Sequence, residues 1–262
     1  MMQKNRLIFY DVFKAIAILT MILDHVGFYF FPYVDIYRAV GRIAAPIFFF
    51  LVGYSRSVKI DKNILTAAIL LQILYLIINP EFQALNVLFT ITILRFFNKY
   101  FKLLKDFLLP ILFVIVAYTV LFSQYYVEFG TIAILFSLLG YYVREKRNIY
   151  FLYFLTASII TLHIIMQQSS FHFETENLAI LIGCLTILGI SFIHFEKFNY
   201  KILDKKTIRI IAQYALIIYF LHKALFEISA FLITDMSTAL PSMYLEDEII
   251  IEKDLLQPNI SF

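Results

Sequence analysis

The chain has 262 residues, of which 61% are hydrophobic and 16% charged, and its formal net charge is +3. A soluble domain usually carries about 25% charged residues, and its core would not need the 29 phenylalanines and 18 tyrosines found here. These values exclude an ordinary soluble domain, and the long apolar runs predict a polytopic helical protein surrounded by membrane lipid, with no nucleic-acid partner.

The apolar runs divide the chain into about nine candidate membrane-spanning helices, within a range of eight to ten. Their approximate bounds are 8–31, 41–56, 64–79, 84–97, 107–123, 127–143, 149–167, 177–195 and 209–233. We therefore expect an all-α transmembrane bundle in residues 1–233 and an acidic C-terminal tail in residues 234–262.

The positive charges alternate between the predicted loops. Seventeen of the 22 lysines and arginines lie in the N-terminus and in the loops 56–62, 95–105, 144–147 and 197–209. Most of the intervening loops carry acids instead. Because cytoplasmic loops of membrane proteins are enriched in Lys and Arg, we predict a cytoplasmic N-terminus and an extracytoplasmic tail. The pattern is typical of a protein of the bacterial inner membrane.

The first predicted helix contains four ionisable residues, which are costly inside a membrane and usually functional there. Lys14 and His25 are eleven residues apart, so they share one helix face at a separation of about 16 Å, with Asp11 within about 60° of it. Asp24 points about 100° away from His25, and we expect it to bond a neighbouring helix. The pattern predicts a polar stripe from the cytoplasmic end to the outer half of the membrane. In the alternative, Asp11 and Lys14 only pair with each other near the interface.

Two arginines, Arg38 and Arg42, lie one turn apart at the predicted outer start of the second helix. Positive charge is scarce on that side of the membrane, so the pair predicts an anionic ligand or a buried acid partner. The alternatives are contacts with lipid headgroups or with Asp35. Farther along the same run, Pro46 predicts a kink or an opening of the helix, which often accompanies a cavity.

The last predicted helix contains a third polar group, with Tyr219, His222 and Lys223 near its middle. A histidine among apolar residues is as often a hydrogen-bonded packing residue as a functional one, so both readings of His222 stay open. The chain has no metal-binding spacing, phosphate-binding loop or serine-hydrolase elbow, and no metal is predicted. Its single cysteine, Cys184, excludes an intrachain disulfide.

Several stretches resemble the TraX family of integral membrane acetyltransferases, within the wider transmembrane acyltransferase superfamily. The first two are DVFKAIAILTMILDH (11–25) and GRIAAPIFFFLVG (41–53). Three more follow in the family's order: LNVLFTITI (85–93), EFGTIAILFSLLGY (128–141) and YALIIYFLH (214–222). The spacing of Lys14 and His25 is also similar to a basic-residue-to-His pattern of the superfamily. The stretches LVGYSRS and ILRFF depart from the family, and these departures leave the acceptor open.

The resemblance implies transfer of an acetyl group from cytoplasmic acetyl-CoA to an amine or hydroxyl acceptor at or across the membrane. The best-known acceptor in the family is the N-terminus of a conjugative pilin subunit. In that scheme Lys14, with Asp11 beside it, attracts the phosphates of acetyl-CoA. His25 accepts the proton of the acceptor. Arg42 or Asp24 orients the site or stabilises the oxyanion.

The same scheme places Arg38, Tyr219 and His222 among the residues that bind substrate. It leaves open whether the acetyl group moves directly or through an acetyl-histidine. The main alternative is a proton-coupled secondary transporter, in which the intramembrane Asp, Lys and His side chains form a proton relay. Against it, the sequence has no visible inverted repeat. A third reading is a non-enzymatic partner of pilus or envelope machinery that acts through the acidic tail.

Overall fold

A computed structural model describes residues 2–78, 84–104, 106–195 and 206–233, with side chains described from Phe9 onward except that of Asp106. The predicted tail, 234–262, lies outside these residues. The described chain is helical, and within it β pairing is limited to one isolated bridge. Its helices are α1 Met2–Phe30, α2 Asp35–Gly41, α3 Ala44–Ser55, α4 Lys62–Ile78, α5 Val87–Phe101, α6 Leu109–Ser123, α7 Ile132–Arg144, α8 Ile149–Phe171, α9 Thr175–Ile193, α10 Lys206–Gln213 and α11 Ala215–Ile233.

The predicted all-α, multi-pass membrane architecture is confirmed. Five helical segments are long and apolar enough to cross a membrane: Phe9–Phe30, Asp35–Ser55, Ile149–Phe171, Thr175–Ile193 and Ala215–Ile233. The shorter helices α4, α6 and α7 are also apolar, and α5 occupies the remaining predicted range. Each of the nine predicted ranges therefore overlaps a helix of the structure.

The second predicted helix begins earlier than expected and is interrupted. It starts at Asp35 rather than near residue 41, and it divides into α2 and α3 at Arg42 and Ile43. Pro46 has no N–H to donate to the carbonyl group four residues earlier, which belongs to Arg42, and proline is tolerated only in the first turn of a helix. The predicted opening at Pro46 is thus confirmed, one turn upstream of the proline itself.

Helices α3 and α7 pack with their backbones almost in contact. A Cβ atom at Gly53 would overlap the carbonyl group of Ser137, and one at Gly140 would overlap the carbonyl oxygen of Phe50. Small residues allow such close approach between membrane helices. The buried Asn98 amide strengthens the same region, because Ser137 donates a hydrogen bond of 3.2 Å to its oxygen.

Alanine at Gly53 or Gly140 is expected to destabilise the bundle, because the clash is with backbone atoms that cannot move aside. We expect a loss of roughly 1–3 kcal/mol or more for each substitution, measured as a lower melting temperature of the detergent-solubilised protein. The control is Gly183→Ala on α9, where an added Cβ meets nothing within 4 Å. Equal melting temperatures for the three variants would contradict this packing account.

Candidate functional site

A cavity of about 590 Å³ opens where α1, α2 and α11 meet the end of α8 and the segment between α6 and α7. This volume is typical of small-molecule sites. Its polar and charged lining residues are Asp24, His25, Arg38, Arg42, Gln124, Tyr125, Glu128, Gln167, Ser169, Ser170, Tyr219 and Lys223. Five of the eight site residues predicted from sequence lie in this lining: Asp24, His25, Arg38, Arg42 and Tyr219.

Asp24 joins α1 to the arginines of α2. Its two carboxylate oxygens lie 3.4 Å from Nε of Arg42 and 3.5 Å from Nη1 of Arg38. Gly41 makes this approach feasible, because a side chain there would overlap the backbone and Cβ of Asp24. Asp24 therefore contacts a neighbouring helix, as expected, and the buried acid partner predicted for the two arginines is Asp24.

Aromatic rings pack against the guanidinium groups of Arg38 and Arg42. The Phe171 ring centroid lies 4.1 Å from Cζ of Arg42 and 4.8 Å from Cζ of Arg38, and Phe28 lies 4.9 Å from Arg38. Such cation–π contacts fix orientation as well as adding attraction. Each guanidinium has five N–H donors, and the single carboxylate of Asp24 cannot satisfy two of these groups. The wall formed by Arg38 and Arg42 is thus suited to an anionic group.

His25 and His222 link α1 to α11. Nδ1 of His25 lies 2.8 Å from Nε2 of His222, and Nδ1 of His222 lies 2.7 Å from the carbonyl oxygen of Ile218. The rings are stacked, with centroids 5.0 Å apart. Among the described residues, His25 belongs to the cavity lining and His222 does not. His222 is thus one hydrogen bond away from a lining residue, and the prediction that it binds substrate stays a prediction.

Lys223 contributes a buried ammonium group to the cavity wall. It is 7% exposed, and its Nζ donates to the hydroxyl oxygen of Tyr29 at 2.6 Å and pairs with Glu227 at 3.3 Å. Tyr29 in turn donates to Glu227 at 2.5 Å. An ammonium group has three N–H donors, so these two hydrogen-bonding partners among the described residues leave one donor that a bound molecule could use. Sequence reasoning noted Lys223 but did not include it among the site residues.

Sequence reasoning also missed Glu128 as a lining residue and treated it as an ordinary loop acid. A backbone bridge sets its place, because Leu85 donates to Tyr126 and Glu128 donates to Leu85, each at 2.9 Å. Its side chain accepts a hydrogen bond of 2.9 Å from the backbone N–H of Val87. The only signal was the resemblance, since Glu128 begins the stretch 128–141 and the bridge joins it to the stretch 85–93.

The predicted polar stripe on α1 is not continuous, and this prediction was wrong. Lys14 lies at the far end of α1, half-buried, with its ammonium 5.4 Å from the Tyr10 ring, and neither it nor Asp11 lines the cavity. The two turns between Lys14 and His25 place Ile18 and Met21 on the same face, and both are buried. Apolar packing therefore separates the two polar ends.

Two further observations bear on ligands. Gln167 is 1% exposed, and its amide oxygen, in the cavity wall, has no hydrogen-bond partner among the described residues. Within the described ranges, no group of three or more His, Cys, Asp or Glu side chains is arranged to hold a metal ion.

Comparison with known proteins identifies the family to which the chain is similar. The family model described as TraX protein matches residues 10–228, a range that contains the whole described lining of the cavity. A protein of Rickettsia prowazekii (strain Madrid E), named "Uncharacterized protein RP591", is 28% identical over 212 residues, which cover 76% of this chain and 84% of that protein. No solved structure matches the chain.

Proposed function

This chain belongs to the TraX family, and we propose that it is a membrane acetyltransferase that moves an acetyl group from acetyl-CoA to an amine or hydroxyl acceptor. The N-terminus of a pilin subunit is the acceptor that the family suggests. We place the protein in a bacterial inner membrane with its N-terminus in the cytoplasm, because the basic loops alternate in that sense.

One observation carries the proposal: a histidine and a partly unsatisfied ammonium group line the same cavity. His25 supplies an imidazole that can accept a proton from the acceptor and return it. Lys223 reaches Tyr29, one turn after His25 on α1, at 2.6 Å and retains a donor for the cavity. A proton acceptor beside a fixed positive charge is what acyl transfer requires.

The reaction balances with these groups. The acceptor nitrogen or oxygen attacks the thioester carbonyl carbon while Nε2 of His25 takes its proton, and the carbonyl π electrons move to oxygen. The oxyanion re-forms the carbonyl group and breaks the carbon–sulfur bond. The CoA thiolate then takes the proton from His25, so the products are the acetylated acceptor and free CoA thiol. The histidine returns to its starting state.

The lining suggests separate tasks for the cations. The resemblance gave Arg42 or Asp24 the task of orienting the site or stabilising the oxyanion, and in the structure Arg42 is engaged by Asp24 and Phe171. Lys223 is the better donor for the oxyanion, whereas Arg38 and Arg42 are suited to hold an anionic part of a substrate. Lys14 is suited to attract the phosphates of acetyl-CoA at the opposite end of α1.

Lys223→Met is expected to lower kcat by about 10²–10³-fold, the usual cost of losing one oxyanion donor. The same variant should change the KM for acetyl-CoA little, because the lost contact forms in the transition state. The measurement is the rate of CoA thiol release by protein purified in nanodiscs. Lys223→Arg, which keeps the charge, should retain more activity than Lys223→Met.

The matched control is Lys99→Met, since Lys99 stacks on Phe96 and Tyr100 at 4.1 and 4.6 Å and lies away from the cavity. It should keep the wild-type rate. A wild-type rate for Lys223→Met, in protein that elutes as a single species on gel filtration, would exclude Lys223 from the chemistry.

The acceptor class can be tested directly. Inverted membrane vesicles containing the protein are supplied with acetyl-CoA labelled in the acetyl carbons, and the label is then followed into lipid, glycan and peptide fractions. A labelled peptide with a blocked N-terminus supports the pilin-like acceptor. Label in lipid or glycan keeps the enzyme and changes the acceptor, whereas label that stays in acetyl-CoA contradicts the proposal.

A further inference from the structure

We infer that His222 is a positioning residue that fixes the neutral tautomer of His25, with the proton on Nδ1 and the free electron pair on Nε2. The inference rests on the proposed function only in the role of Nε2, which takes the proton of the acceptor. His222 then acts on His25 and not on the substrate, in place of the substrate-binding role predicted for it.

The tautomers of His222 and His25 both follow from the carbonyl group of Ile218. The carbonyl oxygen of Ile218 can only accept, so Nδ1 of His222, 2.7 Å away, must carry a hydrogen. A neutral His222 then has an unprotonated Nε2, which accepts from Nδ1 of His25 at 2.8 Å. A neutral His25 with its proton on Nδ1 has its electron pair on Nε2. The carbonyl group on α11 thus fixes both donors: His222 donates to Ile218, and His25 donates to His222.

Burial keeps this chain of hydrogen bonds in place. His222 is 9% exposed and packs between the rings of Tyr219 and Phe226, with centroids 5.8 and 5.6 Å away. A ring held on two sides cannot rotate to present a different nitrogen to His25. No hydrogen bond joins Nε2 of His25 to a described residue, and His25 lines the cavity. The nitrogen left free is therefore the one available to a substrate.

The charged side chains next to the two histidines in sequence have other partners. Asp24, on the next position of α1, is engaged by Arg38 and Arg42, and Lys223 is engaged by Tyr29 and Glu227. The carboxylates nearest in sequence are thus held away from the imidazole pair. Proteins commonly orient a catalytic histidine with a carboxylate or a backbone carbonyl. Here the carbonyl group of Ile218 orients His222, and His222 in turn orients His25.

Nitrogen NMR tests the tautomer without any turnover. Protein labelled with ¹⁵N-histidine is purified in nanodiscs, and the His25 signals are assigned by their loss in His25→Ala. The inference requires a protonated Nδ1 and an unprotonated Nε2 on His25 at neutral pH. A proton on Nε2 of His25 would overturn it.

Two substitutions separate positioning from packing. His222→Gln keeps a carbonyl acceptor near the place of Nε2, whereas His222→Leu keeps apolar bulk and removes the acceptor. We expect His222→Leu to lose the single tautomer and roughly 10–100-fold in kcat, by comparison with other residues that orient a histidine. His222→Gln should restore the tautomer and most of the rate.

Equal rates for the two variants, each well below wild type, would assign His222 to packing and overturn the inference. His194→Leu is the control, because His194 is not in the cavity lining and its Nε2 pairs with the Tyr153 hydroxyl at 2.8 Å, and it should leave both readouts unchanged. Failure of the proposed function is distinguishable: wild-type protein would then show no acetyl transfer while the NMR result still decides the tautomer.

Discussion

Replacement of His25 by alanine is expected to lower the rate of acetyl transfer by about 10²–10⁴-fold, the usual contribution of a general base. Without the His25 imidazole, the acceptor would have to release its proton to water. Melting temperature should fall little, since the His25 side chain makes one hydrogen bond to the described residues, of 2.8 Å to His222, beside ring contacts with His222 and Tyr29. The rate is measured as thiol release from acetyl-CoA in nanodiscs.

The control for this prediction is His194→Ala, which removes a histidine of the same chain outside the cavity. It should keep the wild-type rate. Retention of more than a third of the wild-type rate by His25→Ala would exclude His25 as the base. The search would then move to Glu128, whose carboxyl group belongs to a lining residue and accepts a hydrogen bond from Val87.

Asp24→Asn is expected to be the most destabilising substitution at the site. It leaves Arg38 and Arg42 without their shared carboxylate in a region where the three side chains are only 11–12% exposed. Removing one partner of a buried ion pair costs roughly 3–5 kcal/mol, so the melting temperature and the amount of folded protein should both fall. Activity should fall with them, because the arginine wall would lose its position.

Asp61→Asn is the matched control for this loss of charge. Asp61 pairs with Arg95 at 3.7 Å, but its side chain is 42% exposed, and exposed pairs contribute about 0–1 kcal/mol. A melting temperature for Asp24→Asn as high as that of Asp61→Asn would show that the arginines do not depend on Asp24.

The fold was largely predictable because membrane helices satisfy their own backbone hydrogen bonds and therefore appear as apolar runs. Pro46 also predicted the opening between α2 and α3. The start of that helix was misjudged, since DIYRAV contains polar residues that hydropathy assigns to a loop, whereas Arg38 packs against Asp24 of α1 and the Phe171 ring.

The site was predictable where ionisable residues interrupt apolar helices, as Asp24, His25 and Arg42 do. Glu128 carries no such signal, because an acid next to a helix end looks like any exposed loop acid until the bridge between Leu85 and Val127 places it. The stripe from Lys14 to His25 failed for a related reason. Helical spacing fixes the direction of side chains, but it does not show that Ile18 and Met21 fill the space between them.

The most direct test of the central claim is the fate of acetyl-CoA with purified wild-type protein in nanodiscs and a membrane extract as the source of acceptor. Thiol release and acetylated products are quantified by mass spectrometry in the same reaction. We predict equal amounts of free CoA thiol and of a newly acetylated amine or hydroxyl compound. Acetyl-CoA that remains intact, with no acetylated product formed, would contradict the account and favour transport through this cavity.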